Sequence, residues 1–159
     1  PMRAGRVLLS AMAAVGAVKE HPVNKYDVGL RLARWARHHQ YGEKELVPSG
    51  PIYKSHKVEG TKIRVSFNYV GAGLMLAKKK GYEPAKPTPG AKMPWLSIQD
   101  KNGTWHWAEG EIEGADLVVW SDKVKAPVAV RYAYTQYPTG SNLYNKDGLP
   151  ASPFSTSGY

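Results

Sequence analysis

The stretch Lys62-Ile63-Arg64-Val65-Ser66-Phe67-Asn68-Tyr69-Val70 decides the fold. Ile63, Val65, Phe67 and Tyr69 alternate with Arg64, Ser66 and Asn68. Successive side chains of an extended strand point to opposite faces, so this period of two describes a sheet with one buried face. Just upstream, Ile52 to Val58 is a second such run, and Glu59-Gly60-Thr61 between the two is a hairpin signal. Downstream, Gly71-Ala72-Gly73 breaks the run and Leu74 to Ala77 starts another strand. Trp95 to Gln99 and Thr104 to Ala108 flank an Asn102-Gly103 turn, which predicts a second hairpin. Glu111 to Glu113 and Asp116 to Ser121 pair around Gly114-Ala115. Val128 to Tyr134 is a further strand, with Val128, Val130, Tyr132 and Tyr134 expected on one face. The tail from Tyr137 reads as irregular, with Gly140, Gly148, Pro150 and Pro153. About eight short strands with regular turns argue for a β-sandwich.

The N-terminal part has a different character. Tyr26 to Gln40 predicts a helix, because Val28, Leu32, Trp35 and Ala36 form one apolar stripe at helical spacing. Asn24 or Asp27 can cap its start, and Gly42 sits where a left-handed residue is wanted after its end. Arg31, Arg34 and Arg37 lie off the stripe and read as the wet face. Gly42 to Pro51 is a polar connection rich in Pro and Gly, which places a domain boundary there. The expected division is residues 1–47 and residues 48–159. The apolar run Val7 to Val18 follows Met2, Arg3 and Arg6. It has the layout of a secretion signal, and equally that of a buried segment at a domain edge; it is too short to span a bilayer. The compartment stays open, with export favoured.

Composition sets the outer bounds. The 159 residues are 42% apolar and include 5 Trp and 10 Tyr, enough for a real core. There is no cysteine, which excludes disulfides and thiolate metal sites. The 22 Lys and Arg against 13 Asp and Glu give a net charge of +9, compatible with nucleic acid, anionic lipid or an acidic glycan as partner, and most simply with a solvated basic surface. Lys78-Lys79-Lys80 is the one lysine run, and no aromatic platform is interleaved with it, which argues against nucleic acid. A solvated run that protects a sheet edge is the expected reading.

The chain holds no Gly-x-Ser-x-Gly elbow, no phosphate-binding loop, no His-Glu-x-x-His and no EF-hand loop. His38 and His39 are helix neighbours that point apart, a poor chelate. His56 and His106 fall inside strand patterns. His21 stands apart, in Lys19-Glu20-His21-Pro22-Val23-Asn24-Lys25 directly before the helix. Such a loop can carry the general base of an acyl-transfer enzyme, although an exposed loop histidine is the ordinary outcome. Trp95, Trp105, Trp107 and Trp120 fall in the β region with Tyr132 and Tyr134. Core packing is the usual fate of indoles, and stacking on sugar rings the alternative. Trp105 and Trp107 are two apart, so they share a side.

Several segments, in order, resemble the C-terminal third of the sialate O-acetylesterase and acetylxylan-esterase-like family of SGNH hydrolases. They are His21-Pro22-Val23-Asn24-Lys25 with Val28-Gly29 and Arg31-Leu32-Ala33, then Tyr41-Gly42-Glu43-Lys44 and Ser49-Gly50-Pro51-Ile52-Tyr53-Lys54. Val70-Gly71-Ala72-Gly73-Leu74 and Ala126-Pro127-Val128-Ala129-Val130-Arg131-Tyr132-Ala133 follow. Asn142-Leu143-Tyr144-Asn145-Lys146 and Gly148-Leu149-Pro150-Ala151-Ser152-Pro153-Phe154 complete the set.

The resemblance implies a mainly β chain: a C-terminal β-sandwich over 48–159, preceded by one helix of an incomplete α/β SGNH-hydrolase domain over 1–47. It implies hydrolysis of O-acetyl esters on carbohydrate, with the base role falling on His21 and with no metal or organic cofactor. The family's serine lies in a Gly-Gln-Ser-type loop that is absent here, so a separate N-terminal hydrolase chain or region is expected to carry it. The alternative is a non-catalytic glycan-binding or structural β-sandwich.

Overall fold

The computed structural model describes residues 24–158. Val7 to Val18 and His21 lie outside the described residues. One helix precedes eleven strands: α1 (Lys25–His39), β1 (Ile52–Glu59), β2 (Lys62–Asn68), β3 (Leu74–Lys78), β4 (Lys86–Pro87) and β5 (Leu96–Asp100). Then come β6 (Trp105–Trp107), β7 (Glu109–Glu113), β8 (Asp116–Trp120), β9 (Pro127–Tyr132), β10 (Leu143–Asn145) and β11 (Phe154–Ser155). All pairings are antiparallel, in two four-stranded sheets ordered β1-β2-β8-β7 and β11-β9-β5-β6 and a small sheet ordered β10-β3-β4. The described residues are thus mainly β, a sandwich with one helix.

The decisive stretch behaves as its pattern demands. Ile63, Val65 and Phe67 are buried in the same core as Leu117 and Val119 of β8 and Leu96, Ile98, Val130, Tyr132 and Phe154 of the facing sheet. The sheets touch through β2 with β9 and β5 with β7. At Gly110 they are so close that an added Cβ would lie 2.6 Å from Leu96 Cδ2. The three predicted hairpins form, the first with an irregularity between Tyr53 and Ser55.

The strand pattern breaks at three non-glycine residues with positive φ, one of them Trp95 (φ 60°), so that β5 starts only at Leu96. Tyr69 (φ 59°) turns out of β2, so the alternation ends at Asn68. Ala133 (φ 51°) does the same after β9. The face expected for β9 also differs. A register shift between Gln99 and Asp100 against β9 leaves Val128 exposed while Val130 and Tyr132 stay buried. One extra residue in a strand reverses the side of everything before it.

The tail is not irregular. β10 and β11 are short and buried, and Leu143 and Phe154 enter the core. Tyr132 binds this tail, its hydroxyl accepting from the backbone N–H of Asn142 (3.0 Å) and Leu143 (2.9 Å). Asn145, fully buried, does more. Its Nδ2 donates to the Ser49 carbonyl (3.1 Å) and the Tyr69 carbonyl (3.0 Å), and its Oδ1 accepts from Leu149 N–H (3.0 Å). A Cβ at Gly50 would run into the Pro150 carbonyl, so that crossing admits only glycine.

Asn145→Ala strands two buried carbonyls and one N–H, and is expected to cost about 2–4 kcal/mol in chemical denaturation. Burial pushes the Tyr132 hydroxyl up to about 12, against the N–H donors that favour its charged form. Its stabilising share is whole below the unfolded value near 10 and is lost as pH rises toward 12. Denaturation curves between pH 10 and 12 should therefore fall by about 1.4 kcal/mol per pH unit from this group, a portion absent in Tyr132→Phe.

Candidate functional site

The described residue nearest to His21 in sequence is Asn24, and its surroundings are strongly polar. Asn24 caps α1, its Oδ1 accepting from Asp27 N–H at 3.0 Å. Its Nδ2 donates to Asp27 Oδ2 (2.9 Å) and to the Gly81 carbonyl (3.2 Å). Asp27 Oδ2 also meets Lys79 Nζ at 3.2 Å and Arg31 at 3.8 Å. Tyr26 and Tyr82 meet edge to face at 6.0 Å beside this cluster, and both are exposed. The start of α1 is thus anchored to the loop after β3.

This anchoring overturns the expected wet face of the arginines. Asp27 and Arg31 are the buried residues of α1. Arg34, half-buried, donates from Nε to the Val47 carbonyl at 3.1 Å. The apolar stripe is covered in part: Val28, Trp35 and Ala36 are half-buried and Trp35 meets Tyr69 at 5.7 Å, while Leu32 is exposed. Burial lowers the Arg31 pKa, offset in part by Asp27. Burial raises that of Tyr144. Lys79, from the run expected to be solvated, is mostly covered because it meets Asp27.

The four described histidines each have a local partner. His38 Nδ1 lies 2.8 Å from the Leu46 carbonyl, and His39 packs on Trp35 with ring centres 4.4 Å apart. Desolvation, then His38 and Lys44, holds His39 below its ordinary value. His56 Nδ1 meets the Tyr53 hydroxyl at 2.8 Å. His106 Nε2 lies 3.1 Å from Asp100 Oδ2. That carboxylate also accepts from the N–H of Asn102 and Thr104, so it organises the hairpin turn; the Thr104 N–H and then His106 depress its pKa. Among the described residues no group of three His, Cys, Asp or Glu is gathered for a metal. No described helix is long and apolar enough to cross a membrane.

The indoles are not core. No Trp is among the buried residues, and Trp107 is 72% exposed. Trp105 and Trp107 flank the outer side of β6, and the Arg131 guanidinium lies 3.9 Å from the Trp105 ring centre and 4.6 Å from that of Tyr134. Sequence reasoning singled out the tryptophans but not Arg131. The signal was available: Arg131 stands between inward Val130 and Tyr132 in a strand whose neighbours Ser97 and Trp107 share its register.

No family model matches the chain, and no curated protein does. Among solved structures, a carbohydrate acetylesterase from Xanthomonas citri is similar, with a TM-score of 0.76 and 38% identity over 90% of this chain. The match spans 31% of that protein, so the chain corresponds to about a third of its length. The chain is therefore related to a carbohydrate esterase.

Asp27→Ala removes the carboxylate from between two covered cations and is expected to cost about 2–4 kcal/mol. Hydrogen exchange should show α1 amides losing protection before those of β2 and β8. Equal loss in helix and sheets would contradict this anchoring role.

Proposed function

We propose that the chain is the C-terminal portion of a carbohydrate O-acetylesterase, sialate O-acetylesterase-like and of the SGNH class. The 38% identity to a carbohydrate acetylesterase over 90% of this chain carries the reading. In it, residues 1–47 are the last piece of the α/β hydrolase domain and residues 48–159 an accessory β-sandwich. The polar connection Gly42 to Pro51, rich in Pro and Gly, supports this division.

His21 is the general base in this proposal. A serine outside this chain attacks the acetyl carbonyl while the His21 imidazole takes its proton. The same imidazolium then protonates the departing sugar hydroxyl. Water, deprotonated by His21, releases acetate from the acyl-enzyme. Backbone donors near the serine would hold the oxyanion. The anchored start of α1 supports the role: Asn24, three residues after His21, is tied to Asp27 and Gly81, which limits where the loop can lead. No step calls for a metal or organic cofactor. The substrate is an acetyl ester of a sugar hydroxyl.

The test is hydrolysis of p-nitrophenyl acetate and of an acetylated sugar by this chain alone and joined to the hydrolase region. The joined protein is expected to turn over, with His21→Ala lowering kcat by about 10³-fold or more. Robust turnover by this chain alone that survives His21→Ala would sink the proposal.

A further inference from the structure

The outer face of the β11-β9-β5-β6 sheet carries a cation with no counter-charge among the described residues. Arg131 Nε is buried and has no hydrogen-bond partner. No carboxylate lies in ion-pairing range of its guanidinium among the described residues, whereas Arg64 meets Glu59, Glu113 and Asp116 on the other sheet. The guanidinium carbon lies 3.9 Å from the Trp105 ring centre and 4.6 Å from that of Tyr134. Contact with two rings restricts the guanidinium and leaves its terminal N–H groups for a planar anion.

The rest of the face suits a pyranose. Ser155, Arg131, Ser97 and Trp107 are successive cross-strand partners in one row, and Gln99 pairs with Trp105 in the row beside it. Trp107 is largely exposed, and it is steadied by Trp95, whose ring centre lies 6.2 Å away and whose Nε1 donates to the Thr139 carbonyl at 2.7 Å. An exposed, braced indole offers an apolar face to the axial C–H groups of a sugar ring, and hydroxyl and amide groups beside it meet the sugar hydroxyls.

We propose that this face binds a carboxylate-bearing glycan, with the sugar carboxylate on Arg131 and a neighbouring ring on Trp107. The proposal rests on the carbohydrate reading above for its ligand class, but not on ester hydrolysis. It places a glycan contact on residues that the proposed acyl transfer does not use, and it gives the acetylated polymer a second point of hold.

The test is tryptophan fluorescence and calorimetric titration of this chain with unacetylated ligands: an oligogalacturonate, a glucuronic-acid-bearing xylan fragment and sialyllactose. Neutral xylo-oligosaccharide, lactose and dextran sulfate serve as comparisons. One or more carboxylated sugars should bind with quenching, and the choice among them distinguishes uronate from sialate. Arg131→Gln should weaken that binding by about tenfold or more, and so should the surface change Trp107→Ala, which leaves the core untouched. Lys57→Gln, which removes the same charge from β1, should leave it within about twofold. Equal binding of dextran sulfate, or equal loss with Lys57→Gln, would reduce the effect to general basicity and overturn the proposal. So would absence of binding to every carboxylated sugar, including the case where Trp107 is shielded from iodide in the joined protein by another segment. Because no acetyl ester is present, binding can fail while hydrolysis succeeds, and the reverse.

Discussion

One buried amide, that of Asn145, joins parts of the chain that no strand ladder links. Ser49 lies before β1, Tyr69 just after β2 and Leu149 in the tail, and the Asn145 side chain bonds to all three. A carboxamide suits this place because it has donors for two carbonyls and an acceptor for an N–H. Buried polar groups are tolerated when every one is met, and they then allow one arrangement where an apolar side chain would allow several. The close crossing of Gly50 over Pro150 depends on the same closure. The small sheet, the tail and the connection from α1 are therefore joined at this side chain, beside the Tyr132 contacts and the β11-β9 pairing.

This constraint accounts for what could be read in the sequence and what could not. The hairpins of β1 with β2, β5 with β6 and β7 with β8 were legible because alternation and turn residues are local signals. The tail was not, since β10 and β11 have two or three residues each and take their place from bonds to Ser49, Tyr69 and Tyr132, which lie elsewhere in the sequence. The helix was legible in its bounds and its cap, and only in part in its orientation, since Trp35 meets Tyr69 while Arg31 is buried as well. Its pattern of Val28, Leu32, Trp35 and Ala36 records an apolar side, and no rule of periodicity says that the other side will be buried by Asp27, Arg31 and Lys79. Tertiary charge pairing settled that question.

The segments that carry the resemblance acquire a physical meaning in the structure. Ser49-Gly50-Pro51, Val70-Gly71 and Gly148-Leu149-Pro150 meet around Asn145, and Asn142-Leu143 meets Tyr132. These residues are kept together by hydrogen bonds and close backbone approach, which is framework chemistry and not catalysis. Shared framework explains how the likeness to an acetylesterase extends over nine-tenths of the chain although none of the described histidines has the surroundings of a base beside a nucleophile.

Net charge, read from composition, pointed to an acidic partner without saying where. In the structure much of the positive charge is answered locally: Arg37 by Glu43, Arg64 by three carboxylates, Lys79 by Asp27, Lys86 by Glu83. Pairs of that kind contribute little to the field felt by a distant anion. Arg131 differs in being stacked and unanswered, beside indoles that the core did not take up. Its single charge, fixed in direction, can select a planar carboxylate, whereas a spread of solvated lysines attracts any polyanion alike. Specific recognition by a basic protein thus turns on which cation is left without a partner and how rigidly it is held, and not on the total.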